Sequence, residues 1–316
     1  MKTQTYELTA KSKYGFWAYV NKHKYLCMMI LPILIYFFVF SYLPMFGVVL
    51  AFKKYDYALG ILKSPFIGWD NFKFFFMSGQ AALVTRNTFL YNLVFIFVGN
   101  IAQLIVALFL TEIGSKRFRK LAQTCVFFPY FISWVVIGAM LYNILSYDYG
   151  LLNGILEKLS MNPINVYTEP KYWPFILTVL HTWKGVGYGS VIYMASITGI
   201  DTSVYEAAEI DGASTMKRIW CITLPSLRST MVTVILLSLG HVFKGNFQMF
   251  WNTVGSNGLL YNHTDVIDTF VFRSLLNSND IGMSSAVGLY QSVLNFGFIM
   301  LVNGIVKKID NDSALF

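Results

Sequence analysis

Six long apolar runs divide this chain, and polar segments of very different length separate them. Each run has enough residues to cross about 30 Å of hydrocarbon as a helix. The pattern therefore predicts an all-α membrane protein with six transmembrane helices. The first span is expected to bend near Pro32 or to end near Pro44. The predicted spans cover residues 25–52, 88–113, 122–145, 173–200, 230–251 and 284–306.

The cations flank these runs and predict their orientation. The turn at 116–120 carries four cations in five residues, and Lys307 and Lys308 follow the last run. Short loops rich in lysine and arginine stay on the cytoplasmic side of a membrane. With six spans, both termini and the polar segment 201–229 fall on the same side as this turn. We predict a cytoplasmic N-terminal segment 1–24, a transmembrane domain 25–306 and a cytoplasmic tail 307–316.

Composition agrees with a membrane location. The chain has 316 residues, of which 56% are hydrophobic and 13% are charged, whereas a soluble domain has roughly 25% charged residues. The net charge of +8 could suggest a nucleic-acid partner. We expect none, because the cations border apolar runs instead of forming one basic patch. The prediction is a multi-pass protein of a cell membrane, surrounded by lipid.

The segment 201–229 has the pattern of two short helices joined by a turn. Ser203 and Glu206 have the spacing of a capping box, which would start the first helix. Gly212 is a natural stop, since glycine adopts the left-handed conformation without strain. Ser214 can cap a second helix that runs to about Cys221. A helix–turn–helix outside the bilayer, with small alanine side chains on one face, is suited to docking another protein.

The same segment resembles the EAA loop of the permease subunits of ABC importers. In that family the loop is a coupling helix that sits in a groove of the ATPase subunit. One position departs from the pattern: Ile219 stands where many members have an aromatic residue, although Trp220 follows it. The matching residues are Glu206-Ala207-Ala208, Asp211-Gly212-Ala213 and Ile222-Thr223-Leu224-Pro225. The resemblance assigns ATPase coupling to Glu206, Ala207, Ala208, Asp211, Gly212 and Ala213.

Further stretches are similar to the carbohydrate-uptake branch of this family, in particular to the LplB-type subunits for oligo- and polysaccharide fragments. They include Tyr42-Leu43-Pro44-Met45, Phe131-Ile132-Ser133-Trp134, Trp183-Lys184-Gly185 and Ile267-Asp268-Thr269-Phe270. The resemblance implies a type I importer fold and a pore made of two permease subunits, usually a heterodimer. It also implies two ATPase subunits and an extracytoplasmic solute-binding protein.

Signature motifs of enzymes are missing from the sequence. It contains no Gly-x-x-x-x-Gly-Lys-Ser/Thr loop for nucleotide phosphates and none of the common zinc or hydrolase motifs. The one acid near the interior of a predicted span is Glu112, at a span end. Ion-driven carriers usually place carboxylates within spans. We expect a transporter subunit with no catalytic residue, metal or cofactor of its own, whose ATP and Mg²⁺ are bound by the partner ATPase.

Polar and aromatic residues inside three spans are candidates for the substrate path. Lys184 and Lys244 lie within apolar runs, where an unpaired cation is costly. Amides beside aromatic rings are suited to sugars, because amides bind hydroxyls and rings cover the apolar sugar face. The same rings could instead belong to interfacial belts or core packing. The candidates are Lys184, Tyr188, Tyr193, Lys244, Asn246, Phe247, Gln248, Trp251, Gln291 and Asn295.

The favoured function is import of oligosaccharides or polysaccharide fragments. A permease for amino acids or other small polar solutes would carry the same loop. A membrane scaffold that recruits a cytosolic partner without transport is a further alternative. The aromatic content of 17% favours sugars weakly.

Overall fold

The computed structural model describes residues 21–309. The predicted terminal segments therefore lie outside the described residues, except for 21–24 and 307–309. The described residues are helical and contain no β-strand, only one isolated antiparallel bridge between Lys53 and Phe66. Residues up to Val49 and residues from Leu50 form two compact units.

The described helices follow the apolar runs closely. In chain order they are α1 (Lys24–Phe52), α2 (Gly60–Lys63), α3 (Asp70–Met77), α4 (Gln80–Glu112), α5 (Lys116–Phe131), α6 (Trp134–Leu145), α7 (Leu151–Lys158), α8 (Trp173–Thr198), α9 (Thr202–Ile210), α10 (Thr215–Ser226), α11 (Arg228–Leu239), α12 (Phe247–Thr253), α13 (Tyr261–Thr264), α14 (Ile267–Ser278) and α15 (Ile281–Ile309).

Helix α1 continues through both of its prolines. It contains Pro32 within regular helix, a π-helical turn at Phe38–Tyr42 and a 3₁₀ stretch at Phe46–Phe52. The predicted end near Pro44 is therefore wrong. The helix extends as far as the apolar run does, and its large apolar side chains are exposed, as expected for a surface that faces lipid.

Three described helices, α1, α4 and α15, are each long and apolar enough to cross a membrane. Two bent pairs bring the number of candidate spans to five. The predicted fourth span is the continuous 26-residue helix α8, which is not among these five. Its polar residues, among them His181 and Lys184, lower its mean hydropathy. The glycines that follow Lys184, at positions 185, 187 and 189, do not break it.

The predicted third span is not a single straight helix. Helix α5 already starts at Lys116, and it meets α6 at an angle of 94°. Pro129 lies in the 3₁₀ turn that ends α5, and Ser133 caps α6 by accepting a hydrogen bond from the Val136 N–H. Because proline lacks an N–H and serine favours a helix N-terminus, the local sequence stops one helix and starts another.

The predicted fifth span is interrupted too. Helix α11 ends at Leu239, and α12 begins only at Phe247. Residues 240–246 between them are non-helical. The core lies around this interruption, where α4 and α8 pack along each other and α6 packs on α12. Buried aromatic residues at its centre include Phe95, Trp134 and Trp173.

Candidate functional site

The interrupted stretch at residues 240–246 is held by side chains from other helices. The Asn92 side-chain amide on α4 donates hydrogen bonds to the carbonyl oxygens of Val242, at 2.9 Å, and Lys244, at 3.2 Å. Backbone groups inside a membrane protein need such partners, because lipid offers none. A single amide on α4 thus fixes the stretch from one side.

Two predicted substrate-path residues, Gln291 and Asn295, support the same stretch from α15. The Asn295 amide donates to the Gly240 carbonyl at 2.6 Å, and its oxygen accepts the Phe243 N–H at 3.3 Å. The Gln291 amide donates to the Phe243 carbonyl at 2.7 Å. Both amides are thus engaged with backbone, which places them behind the stretch as its support.

Asp268 completes this support. Its Oδ2 accepts the Gly245 N–H at 2.6 Å and the Gln291 amide at 2.9 Å. Burial raises the pKa of the Asp268 carboxyl, while the two hydrogen bonds and the charge of Lys244 act in the opposite direction. Gly245 has no room for a side chain, since a Cβ there would lie 2.7 Å from Oδ2. A glycine and an acid 23 residues apart therefore fix each other's position.

A cavity of about 520 Å³ lies on the other side of the stretch. Helix α4 lines it with polar residues, α8 contributes His181, and the start of α12 closes it. Four of the predicted substrate-path residues are brought together here. They are Lys244, Asn246, Phe247 and Gln248.

Some polar groups of this cavity are engaged within the protein. The Asn100 amide donates to the Ile96 carbonyl at 2.6 Å, and its oxygen accepts the Tyr193 hydroxyl at 2.9 Å. Asn246 caps α12 by accepting the Met249 N–H at 3.2 Å. These contacts orient the wall of the cavity and reduce its free hydrogen-bonding groups to a small set.

The loop at 201–229 forms two helices, as predicted, but it starts differently. Asp201 is the N-cap, and its Oδ1 accepts the Ser203 N–H at 2.9 Å. This hydrogen bond lowers the pKa of the Asp201 carboxyl. The predicted capping box of Ser203 and Glu206 is wrong, because the helix begins two residues earlier and an oxygen of Asp201 accepts the Ser203 N–H.

The turn between α9 and α10 is a Schellman motif. The Ala213 N–H donates to the Ala208 carbonyl at 2.9 Å, and the Gly212 N–H donates to the Glu209 carbonyl at 3.0 Å. Gly212 has a φ of +73°, as its role as helix stop predicted. Ser214 caps α10 as expected. The second helix continues to Ser226, beyond its predicted end near Cys221.

The two loop helices are tied together and leave apolar side chains exposed. The Tyr205 hydroxyl lies 2.9 Å from the Thr223 hydroxyl, and Arg218 forms an ion pair with Glu209 at 3.3 Å. The large apolar side chains that remain outside are those of Val204, Ile210, Met216 and Trp220, and Ile210 is 87% exposed. Exposed apolar side chains on a fixed frame are typical of a binding surface.

Comparison with known proteins gives the family. Residues 103–311 match the family described as binding-protein-dependent transport system inner membrane component. The chain belongs to this family. It is 32% identical to the protein LplB of Bacillus subtilis over 305 residues, which cover 96% of this chain and 95% of LplB. The chain is thus a multi-pass permease subunit of an ABC importer and not an enzyme, and its recognition from the loop motif is confirmed.

Two further comparisons add to this. The permease is 32% identical to YteP of Bacillus subtilis, the permease of a polygalacturonan/rhamnogalacturonan transport system, with 91% of this chain and 89% of YteP covered. It also resembles a chain of the crystal structure of a bacterial ABC transporter that imports the acidic polysaccharide alginate. The TM-score is 0.84 at 29% identity, with 93% of the permease and 99% of that chain covered.

Lys184 lies away from the cavity, at the bend between α5 and α6. Its ammonium donates to the carbonyl oxygens of Pro129 at 3.2 Å, Tyr130 at 2.7 Å and Ile132 at 2.5 Å. It also lies 5.5 Å from the centre of the Trp134 ring. The permease therefore uses this cation as a donor to carbonyls at the end of α5, and the Pro129 carbonyl also accepts the Ile132 N–H at 3.2 Å.

The remaining aromatic candidates are placed in packing contacts. Tyr188 stacks on Tyr130, with ring centres 4.6 Å apart. Tyr193 is buried and reaches the cavity only through its hydrogen bond to Asn100. Trp251 stacks on Phe247 at 5.9 Å, so it lies behind a residue of the cavity wall.

Sequence reasoning missed several residues of the cavity in this permease. Asn92, Asn100 and Gln103 line it from α4, and His181 lines it from α8. A signal was present in the sequence, since positions 92, 100 and 103 lie on one face of a helix within an otherwise apolar run. Among the described residues, no group of three or more His, Cys, Asp or Glu could hold a metal ion.

Proposed function

We propose that this permease forms half of the pore of an ATP-driven importer for oligosaccharides or polysaccharide fragments. The observation that carries the proposal is the cavity beside residues 240–246, which combines amides, an ammonium and the ring of Phe247 between membrane helices. Such a wall suits a hydroxyl-rich ligand with apolar ring faces. The saccharides named for YteP and for the alginate transporter support this substrate class.

The proposed assembly contains partners that supply what the chain lacks. A second, dissimilar permease completes the pore, and an extracytoplasmic binding protein delivers the saccharide. Two ATPase subunits bind ATP and Mg²⁺. In this proposal the segment 201–229 docks on one ATPase, and Glu206, Ala207, Ala208, Asp211, Gly212 and Ala213 transmit its movement to the pore.

The proposed topology has six spans with both termini in the cytoplasm. Helix α8 counts as one span, because its 26 residues reach about 39 Å at 1.5 Å per residue. The apolar part of each bent pair, from residue 122 in the first and from residue 230 in the second, supplies a further span. The basic turn at 116–120 and the docking segment then lie on the cytoplasmic side, where ATP is available.

The first test is purification of the tagged permease from native membranes in mild detergent, followed by mass spectrometry. We expect an ATPase and a second multi-span protein to copurify. If the permease comes out alone while a known ABC importer survives the same detergent, the docking role of the loop is wrong.

A substitution makes this test specific to the docking surface. Ile210 is 87% exposed at the end of α9, and Leu62 is 89% exposed in α2, on the opposite side in the proposed topology. Ile210→Asp should abolish copurification of the ATPase, because a charge then replaces an apolar contact. Leu62→Asp is the matched control and should leave it unchanged. Equal loss in both variants would indicate damage to the fold instead of a lost docking contact.

A further inference from the structure

Lys244 is the one lysine, arginine or carboxylate among the described residues that line the cavity, and its ammonium has no partner among them. Lys244 is exposed, and its ammonium makes no hydrogen bond or ion pair with any residue in the part of the chain that the structure describes. Only its backbone carbonyl is engaged, by Asn92. A cation between membrane helices is costly unless an anion or water meets it. The Lys244 ammonium is therefore available to bind a negatively charged ligand.

No carboxylate within residues 21–309 lines this cavity. Asp268 is close enough for the charge of Lys244 to act on it, but the two form no ion pair. Its Oδ2 is occupied by Gly245 and Gln291, on the side of the stretch that faces α15. The protein itself thus leaves the positive charge of Lys244 facing the cavity without direct neutralisation.

Other polar groups without a partner among the described residues line the same cavity. Nδ1 of His181 is buried and has no hydrogen-bond partner among the described residues. The ring of His181 is held in place by stacking on Phe95, with centres 4.2 Å apart. The side-chain amides of Gln103 and Gln248 also make no hydrogen bond within residues 21–309. The unpaired Nδ1 of His181 is buried and costs free energy that a ligand can recover. The half-buried Gln103 and the exposed Gln248 add further donors and acceptors for a polar ligand.

From this set of free groups we infer that the substrate of this permease is a saccharide bearing carboxylates, such as a uronate oligomer, and that Lys244 binds its carboxylates in turn. The inference rests on the proposed saccharide-import function. One ammonium matches one carboxylate per sugar unit, whereas a phosphate ester carries up to two charges and calls for more cations.

Lysine fits this role better than a rigid cation would. Its ammonium is a point charge on a flexible stem, while arginine grips a carboxylate in a fixed two-pronged geometry. A transport pathway must bind its substrate strongly enough for entry and weakly enough for release. A flexible lysine that makes one contact at a time can bind and release each sugar unit of an oligosaccharide as it moves through the pore.

The test compares two substrates that differ only in charge. The full importer, with its partner subunits and binding protein, is placed in proteoliposomes. The probes are a labelled oligogalacturonate and its carboxyl-reduced counterpart of equal length. Lys244→Gln should lower uptake of the acidic oligomer about tenfold by removing the charge, with any uptake of the neutral oligomer unchanged. Lys244→Arg should retain most of the acidic uptake.

Lys158→Gln is the matched control. Lys158 is an exposed cation on α7, outside the cavity, and removing it should change neither uptake. If Lys244→Gln leaves acidic uptake intact, or lowers both uptakes equally, the carboxylate role is wrong. It is also wrong if the wild type carries only the neutral oligomer. Failure of the wild type to carry any saccharide while it hydrolyses ATP would instead overturn the proposed function.

Discussion

Two lysines within apolar runs, Lys184 and Lys244, look alike in the sequence but differ in the structure. Each lies beside an interruption of a helical path. Lys184 donates its ammonium to three carbonyl oxygens at the bend between α5 and α6. At the stretch that contains Lys244, the backbone is supported by amides and by Asp268, and the Lys244 ammonium has no partner among the described residues.

The difference follows from what each interruption leaves unpaired. The 3₁₀ turn at Phe128–Phe131 ends α5, and the carbonyls at a helix end carry partial negative charge, which a cation matches. Residues 240–246 present both N–H and C=O groups, and amides serve both kinds. Lys184, at a helix end, is thus engaged by backbone carbonyls. Lys244 is available for a ligand, because other side chains support the backbone around it.

The largest effect should come from removing the Lys184 ammonium. Lys184→Met removes the charged donor of three carbonyls at the bend, two of them in half-buried contacts, and the loss of these charge-assisted hydrogen bonds should cost about 4 kcal/mol in the free energy of unfolding. Lys244→Met should cost little, since its ammonium has no partner among the described residues. Thermal unfolding in detergent checks this contrast. A similar loss of stability in both variants would contradict the difference between the two lysines.

The packing around the same bend offers a second comparison, between two glycines of α8. A Cβ on Gly187 would lie 2.3 Å from the carbonyl oxygen of Val126 on α5, whereas a Cβ on Gly185 meets nothing within 4 Å. Gly187→Ala should force the two helices apart and cost about 3 kcal/mol. Gly185→Ala should be neutral or slightly stabilising, as alanine favours helix.

The yield of monodisperse protein and its unfolding temperature, measured side by side for both glycine variants, test this expectation. If Gly187→Ala were as stable as Gly185→Ala, the close contact between α5 and α8 would not exist in the membrane.

The support of the second interruption can be weakened from α4. Asn92→Leu removes the amide that binds the carbonyls of Val242 and Lys244 and should cost about 2 kcal/mol. Asn143→Leu is the control, because among the described residues that amide bonds only to Ala139 in its own helix. Uptake should fall in Asn92→Leu and persist in Asn143→Leu. Normal uptake in both would show that residues 240–246 keep their shape without this amide.

Much of the fold could be predicted because it depends on local pattern. Apolar runs gave helices near the predicted positions, and Gly212 and Ser214 gave the turn and the cap of the loop. The interruption at 240–246 could not be predicted, since its partners Asn92 and Asn295 lie about 150 and 50 residues away in sequence. No local signal tells whether an amide in a span binds backbone or substrate.

The candidate site was predicted in part for the same reason. Residues 244–248 are neighbours in the chain, so one cluster of polar and aromatic residues was enough to find them. Gln291 and Asn295 are amides like Gln248 and Asn246, yet their side chains bind the backbone of residues 240–246. His181 was missed because a lone histidine in an apolar run carries no spacing signal.

The smallest stability effect should be found in the loop, where a turn is closed by backbone alone. Its Schellman hydrogen bonds need only the positive φ of Gly212, +73°, and no charged side chain. Gly212→Ala should cost about 1 kcal/mol, because an L-residue is strained there. Gly212→Asn should cost less, since asparagine tolerates this conformation. Asparagine is therefore the conservative variant.

The functional effect of the same change should be larger than its effect on stability. By shifting α10 relative to α9, Gly212→Ala should leave the permease inserted and assembled but uncouple ATP hydrolysis from uptake. Gly212→Asn should restore the coupling. The ratio of ATP hydrolysed to substrate imported, measured in proteoliposomes, separates the two variants. Normal coupling in Gly212→Ala would mean that force reaches the pore without this turn. The helices that Lys184 and Asn92 hold in place would then receive that force through a different contact.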